Sequence, residues 1–262
     1  MIKPIRLATG FLTVGVWTLG SRVLGFLRDI MIAAFIGVGP VSEAFFVAFS
    51  LPNMFRRFFG EGAFNTAFVP MFSKKLEGGE DPAGFARDAF SGLAGVLIVL
   101  TLIAQLAMPG LILAMASGFL GDVRFDLAVD FGRVLFGYIL LISLAALLSG
   151  LLNATGRFAA AAAAPILLNV ILISVLLLAE SGVLADRSFL PVPDGAEGLT
   201  GLHHGELLVW GVVAAGVAQC ALVWWAAARA GFRLVPRMPR LTPDMKRLLK
   251  IMVPAMLAGG VV

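Results

Sequence analysis

The sequence is poor in charge, cysteine and histidine. Charged residues are 14% of the 262, against 60% hydrophobic, and mean hydropathy is +0.97. One soluble core could not hide that much apolar surface. A single cysteine, Cys220, excludes a disulfide framework within the chain and reads as small apolar packing. The two histidines, His203 and His204, are adjacent, with no cysteine or carboxylate at ligand spacing, so no metal site is expected. HExxH, GxSxG and acidic metal-binding clusters are all missing.

What is there is a series of long apolar runs. Each can cover about 30 Å of hydrocarbon at about 1.5 Å per residue, and backbone satisfaction in lipid makes runs of this length helices. The class expected is an all-α integral membrane protein with six spans, at about 8–36, 43–71, 86–116, 127–152, 158–180 and 205–229. These form one transmembrane unit over 1–248, and residues 249–262 read as the truncated start of a seventh helix, as in part of a longer protein. No small-residue cleavage site follows Lys3 and Arg6, so the first run reads as an uncleaved helix rather than a signal peptide.

Net charge is +4, and its distribution argues against nucleic acid. Lys3, Arg6, Lys74, Lys75, Arg87, Arg157 and the set from Arg229 to Lys250 fall at the start or in the second, fourth and sixth connections. The other connections hold only Arg124 and Arg187. This asymmetry predicts a cytoplasmic N-terminus. The outer connection at 181–205 reads as a solvated loop, and Trp210 with Trp224 and Trp225 bracket the sixth span as an interfacial belt would.

Inside the spans stand Arg22, Arg28, Arg56, Arg57 and Arg133, against Asp29 and Glu61, with Glu43 and Asp130 nearer the outer edge. Each central arginine facing lipid costs about 2.5 to 3.5 kcal/mol, so these residues are expected to face a bundle interior or a wet cavity. Arg57 and Glu61 are spaced for a pair across one helical turn, and Arg133 reads as structural. Arg28 and Asp29, as neighbours, are not expected to face each other. Arg22, Arg28 and Arg56 then lack matching anions, which points to an anionic ligand. Ser21, Gly25 and Arg28 share one helical face, where Gly25 permits a bend or a close approach. Pro52 frees a carbonyl just before Asn53 and Arg56. Both helices are expected to be broken near mid-membrane, a construction found at transporter sites. The run Ala159 to Ala164 reads as close helix packing, and Asn169 and Gln219 as hydrogen bonds between helices.

The stretches SRVLGFLRD, EAFFVAFSLPNMFRRFFGEGAFNTAFVP and YILLISLAALLSGLLNATGRFAAAAAAPILLN closely resemble the MurJ (MviN) family of bacterial lipid II flippases. The resemblance covers essentially the whole chain. It implies the first six-helix lobe of a fourteen-helix, two-lobe fold of the multidrug/oligosaccharidyl-lipid/polysaccharide exporter superfamily, in the bacterial inner membrane. It implies a substrate, lipid II, an undecaprenyl-pyrophosphate-linked disaccharide pentapeptide, flipped by alternating access among membrane lipids. Its cavity arginines map onto Arg22, Arg28 and Arg56. Ser21, Gly25, Asp29, Asn53, Arg57 and Glu61 stand around them, and Glu43 occupies a position where a gating role is expected. A further arginine and a coupling cation site would belong to the missing C-terminal lobe, so no cofactor is expected in this chain.

Two other functions compete. A multidrug or polysaccharide exporter of the same superfamily is one, but a cation exporter is expected to line its cavity with carboxylates, and arginine is in excess here. A membrane enzyme acting on polyprenyl phosphates is the other, and it would need the nucleophile, base or metal cluster that is absent.

Overall fold

The computed structural model describes residues 7–56, 63–184 and 187–259. They form helices α1 (Leu7–Phe35), α2 (Pro40–Arg56), α3 (Ala63–Gly78), α4 (Pro82–Met115), α5 (Val123–Phe136), α6 (Tyr138–Ala154), α7 (Phe158–Glu180), α8 (Leu202–Arg229) and α9 (Pro243–Gly259). The chain is an all-helical integral membrane protein. Four stretches among the described residues are long and apolar enough to cross a membrane: Pro82–Met115, Val123–Ala154, Phe158–Glu180 and Leu202–Arg229.

Helix starts follow local chemistry. Asp81 caps α4 by accepting from Gly84 N at 2.8 Å, with Pro82 in the first turn, where no amide partner is needed. Asp122 caps α5 by accepting from Arg124 N at 2.9 Å. At Gly137, still in helical conformation, α5 gives way to α6, so the two make one span.

Two expectations change here. Gly25 does not break α1, which is continuous from Leu7 to Phe35; a glycine permits a bend without requiring one. The expected break at Pro52 is not there either: α2 continues through it to Arg56, and the rest of the run at 43–71 is α3 beyond residues that lie outside the described ones. Ser50 Oγ and Asn53 Nδ2 donate to the carbonyls of Val47 and Phe49, so side chains supplement the helix ladder on either side of the proline. Arg57 and Glu61, with their expected pair, lie outside the described residues.

The core lies between α2, α4, α5, α6 and α8, where Phe45, Leu97, Met108, Phe131, Phe136 and Leu148 are fully enclosed. At Gly216 a Cβ would lie 2.6 Å from the Tyr138 ring, so only glycine lets α8 meet α6 there. Phe64, Phe68 and Phe72 stack at one-turn spacing along α3, and Phe85 of α4 stacks on Phe68. Trp224 turns inward onto the Phe90 ring at 5.2 Å, while Trp210 and Trp225 are exposed. Of the three tryptophans expected at an interface, Trp224 is thus turned into the bundle.

Helix α1 packs lengthwise on α7, its last residue Phe35 stacks on His204 of α8 at 5.8 Å, and α7 packs on α8. The rest of α1 is open: Val16, Leu19, Val23, Phe26 and Ile30 are all exposed.

Candidate functional site

The α1–α7 contact is organised by one polar side chain in the middle of a mostly apolar helix, Asn169 of α7. It is buried. Its Nδ2 donates to the Ser21 carbonyl at 2.8 Å and to Ser21 Oγ at 3.3 Å, and its Oδ1 accepts from Arg28 Nη1 at 2.8 Å. Between those contacts, a Cβ on Gly25 would touch the same amide at 3.6 Å. Ser21, Gly25 and Arg28 thus share the face that meets α7. Sequence reasoning placed them together and read Asn169 as a hydrogen bond between helices, which it makes, without naming Ser21 and Arg28 as its partners. Its signal was an amide alone in a long apolar run.

Arg28 also corrects an expectation. Its Nε and Nη2 both donate to Asp29 Oδ1, at 2.9 and 2.7 Å. The Cα–Cβ vectors of neighbours diverge, yet the long arginine side chain curls back to reach the carboxylate. Arg28 is therefore not without an anion. Asp29 remains 62% exposed while Arg28 is 20% exposed, so an incoming group can reach the carboxylate's place from the open side.

Arg22 lies one position on from Ser21 and is exposed on the open side of α1. It makes no ion pair among the described residues. Arg56, at the end of α2, lines a cavity of about 430 Å³ together with residues of α3, α6, α7 and α8. Arg22 and Arg28 are outside that lining. The three arginines are thus distributed between the α1 face and the cavity wall.

Glu43, in the first turn of α2, accepts from Arg124 Nη1 at 2.7 Å. Arg124 also donates through Nε to Asp122 at 3.0 Å and lies over the Phe119 ring at 4.7 Å. The hydrogen bonds from Arg124 hold the Asp122 carboxyl below the usual aspartate range. Glu43 and Arg124 therefore latch the start of α2 to the start of α5. Arg133 pairs with Asp130 at 3.2 Å, in keeping with a structural part.

At the other end of the helices, Lys75 binds Glu80 at 2.6 Å and Asp244 at 3.0 Å, joining α3 to α9. The hydrogen bonds that Lys75 donates to Glu80, and then to Asp244, raise its pKa. Arg237 Nε donates to buried Asp88 at 2.8 Å and its backbone N–H to Ser91 Oγ at 3.0 Å, so the α8–α9 connection is fastened along α4. His204 pairs with Glu180 at 3.2 Å, a carboxylate that sequence spacing did not reveal. Among the described residues no group of three or more His, Cys, Asp or Glu could hold a metal ion.

The profile of the family described as "Lipid II flippase MurJ" matches residues 32–262. The chain is 44% identical to the "Probable lipid II flippase MurJ" of Rhizobium meliloti (strain 1021) over 261 residues, 98% of this chain and 46% of that protein. It is 35% identical to the "Lipid II flippase MurJ" of Burkholderia cenocepacia over 269 residues, 98% of this chain and 48% of that protein. A solved structure, "Lipid II flippase MurJ, inward closed conformation", superposes with a TM-score of 0.70 at 21% identity, over 95% of this chain and 48% of that one. That likeness shows the fold. The chain spans about half the length of the curated relatives it matches. The chain belongs to the MurJ family.

Proposed function

We propose that this member of the MurJ family is the first lobe of a lipid II flippase of the bacterial inner membrane, working with a second lobe to carry the pyrophosphate-linked precursor of peptidoglycan outward by alternating access. The relatives' names supply the substrate. The observation that carries the reading is the exposed Arg22 on the open side of α1, about two helical turns before the Arg28–Asp29 pair. A cation exposed on a membrane helix is costly when it faces lipid, and the cost is removed when that side faces a wet cavity and an anion. Planar guanidinium forks suit diphosphate oxygens bidentately, and desolvation strengthens such bonds.

In this reading Arg22 and Arg28 hold the diphosphate from α1, Asp29 gives way as it arrives, and Arg56 meets the substrate from the end of α2. The N-terminus faces the cytoplasm. Glu43 and Arg124 close the outer ends of α2 and α5, and opening that pair belongs to substrate release. No bond in the substrate is made or broken, and coupling to a cation is assigned to the second lobe.

The test is rescue of a flippase-depleted bacterium by this chain joined to the second half of the Rhizobium meliloti relative. Alanine at Arg22, Arg28 or Arg56 should abolish rescue without loss of membrane-inserted protein. Lysine at Arg22 or Arg28 keeps charge but loses the fork, and should retain only part of the rescue. Alanine variants that rescue like the unsubstituted chimera would sink the proposal.

A further inference from the structure

The connection between α7 and α8, expected as a solvated loop, is built more firmly than that. From Pro193 to Leu202 it runs as three hydrogen-bonded turns in series: the Ala196 N–H donates to the Pro193 carbonyl at 3.0 Å, and those of Leu199 and Leu202 to the carbonyls of Ala196 and Leu199, both at 3.2 Å. The third residue of each turn is a glycine at positive φ: Gly195, Gly198 and Gly201. Ala196 is fully buried, and Leu190 and Leu199 pack on the core.

One buried acidic side chain holds the other half of this connection. Glu206, in the second turn of α8, is 2% exposed and makes no ion pair among the described residues. It accepts from the Phe189 N–H at 3.2 Å, and both its oxygens lie 3.3 Å from Ser188 Oγ. The single hydroxyl hydrogen of Ser188 is shared with the Leu190 carbonyl at 2.7 Å, so the Phe189 amide is the bond that belongs to Glu206 alone. One turn further along α8, Trp210 Nε1 donates to the Phe189 carbonyl at 3.4 Å. A buried carboxyl group served only by neutral donors carries a desolvation cost that an apolar side chain of the same size would not. What an apolar side chain could not do is fix two residues of the connection to α8.

The braced connection in turn makes a seat for the C-terminal end of α1. At Gly201 a Cβ would lie 2.8 Å from the Ile36 Cα and carbonyl oxygen, so the chain leaving α1 rests directly on that backbone. Phe35 stacks on His204, which also pairs with Glu180 of α7. At Gly205 a Cβ would lie 2.5 Å from Val41 Cγ1, so the start of α2 meets the same turn of α8. Helix α1 is therefore held twice, by Asn169 at Ser21 and Arg28 and by this seat at its end.

We infer that Glu206 is a positioning residue for α1: by tying Ser188 and Phe189 to α8 it keeps the α7–α8 connection as a brace, and the brace fixes the end of the helix that presents Arg22 and Arg28. The consequence for transport rests on the proposed flippase function. The brace itself does not.

Amide exchange on this chain in lipid nanodiscs tests the brace. Glu206→Leu removes the bonds with little change in volume, and should raise exchange about tenfold in residues 187–201 and in 31–36, while residues 15–25 of α1, held by Asn169, keep their protection. Glu206→Gln keeps one acceptor oxygen and should fall between. Gly201→Ala leaves Glu206 in place and damages the seat itself, so it should free 31–36 as well; if Glu206→Leu is lost from the membrane, these two variants carry the comparison. Unchanged exchange at 187–201 overturns the lock, and a loosened connection with 31–36 still protected overturns its link to α1. In the chimera with the second half of the Rhizobium meliloti relative, at matched membrane abundance, rescue should be weak for Glu206→Leu and Gly201→Ala and intermediate for Glu206→Gln. Full rescue by variants whose α1 end is freed overturns the positioning part. An unsubstituted chimera that fails to rescue overturns the flippase reading and leaves the brace to be judged by exchange.

Discussion

Arg28 and Asn169, 141 residues apart in sequence, meet through a 2.8 Å hydrogen bond that fastens α1 along α7. The same amide holds Ser21, so Asn169→Leu removes several bonds at once. The expected cost is about 1 to 2 kcal/mol, since polar contacts between membrane helices are worth little individually. Thermal unfolding in detergent measures it. Loss of protection along α1 by hydrogen exchange, with α8 unchanged, would show that the damage is confined to the α1–α7 contact. Unchanged stability would remove Asn169 from its organising part.

The latch between Glu43 and Arg124 should behave as a coupled pair. Glu43→Gln and Arg124→Gln are each expected to loosen the first turn of α5, and the double variant should lose less than the sum. Asp122 adds a pH dependence. Its folded pKa is lowered, so its contribution is present above the ordinary aspartate range and is lost as pH falls through the lowered value. Protection of the amides in the first turn of α5, measured against their intrinsic exchange rates at each pH, should therefore fall in acid. Additive losses and a flat acid profile would argue against the latch.

Lys75 gives the opposite sign. Its folded pKa is raised, so the tie to Glu80 and Asp244 is present below the ordinary lysine range and is lost as pH climbs through the raised value. At neutral pH, Lys75→Ala should free α9, and trypsin should then cut faster at exposed Arg233 and Arg240 in the α8–α9 connection. Cutting rates equal to those of the unsubstituted chain would show that Arg237 and Asp88 hold that connection without Lys75.

Orientation is open to a direct measurement. The charge asymmetry places the end of α3 in the cytoplasm and the α7–α8 connection outside. Glu77 and Val183 are both exposed, so a cysteine at either is reachable, whereas Cys220 is buried and can be replaced by alanine. An impermeant thiol reagent on intact cells should label the Val183→Cys protein only. Labelling at position 77 instead would invert the topology.

The helical membrane class was legible because hydropathy accumulates along the chain and needs no tertiary knowledge. The arginine excess was legible for the same reason: a charge inside an apolar run stands out wherever it points. Pairings were not. Sequence spacing suggested that Asp29 and Arg28 could not meet, because it follows Cβ directions and not the reach of a long side chain. Nor could spacing bring Glu180 to His204, Asn169 to Arg28, or Asn65 and Asn153 into one cavity, since each depends on helices distant in sequence.

The Arg28–Asp29 pair yields the last prediction, because it separates holding a charge from binding a ligand. Asp29 accepts two bonds from Arg28 yet remains 62% exposed, so it occupies the positions a diphosphate oxygen would need. In the unliganded chain it offsets the cost of the guanidinium, and a substrate must displace it. Asp29→Asn keeps the shape and one acceptor but removes the competing charge. It should tighten undecaprenyl pyrophosphate binding by a few-fold, while Asn169→Leu, which frees Arg28 from its other partner, should weaken binding by loosening α1. If release of product depends on Asp29 returning to Arg28, the tighter binder should rescue a depleted strain less well in the chimera. The measurements are the affinity for undecaprenyl pyrophosphate in nanodiscs and growth rescue at matched membrane abundance. Weaker binding by Asp29→Asn at normal abundance would mean that the carboxylate orients Arg28 for the ligand rather than standing in its place.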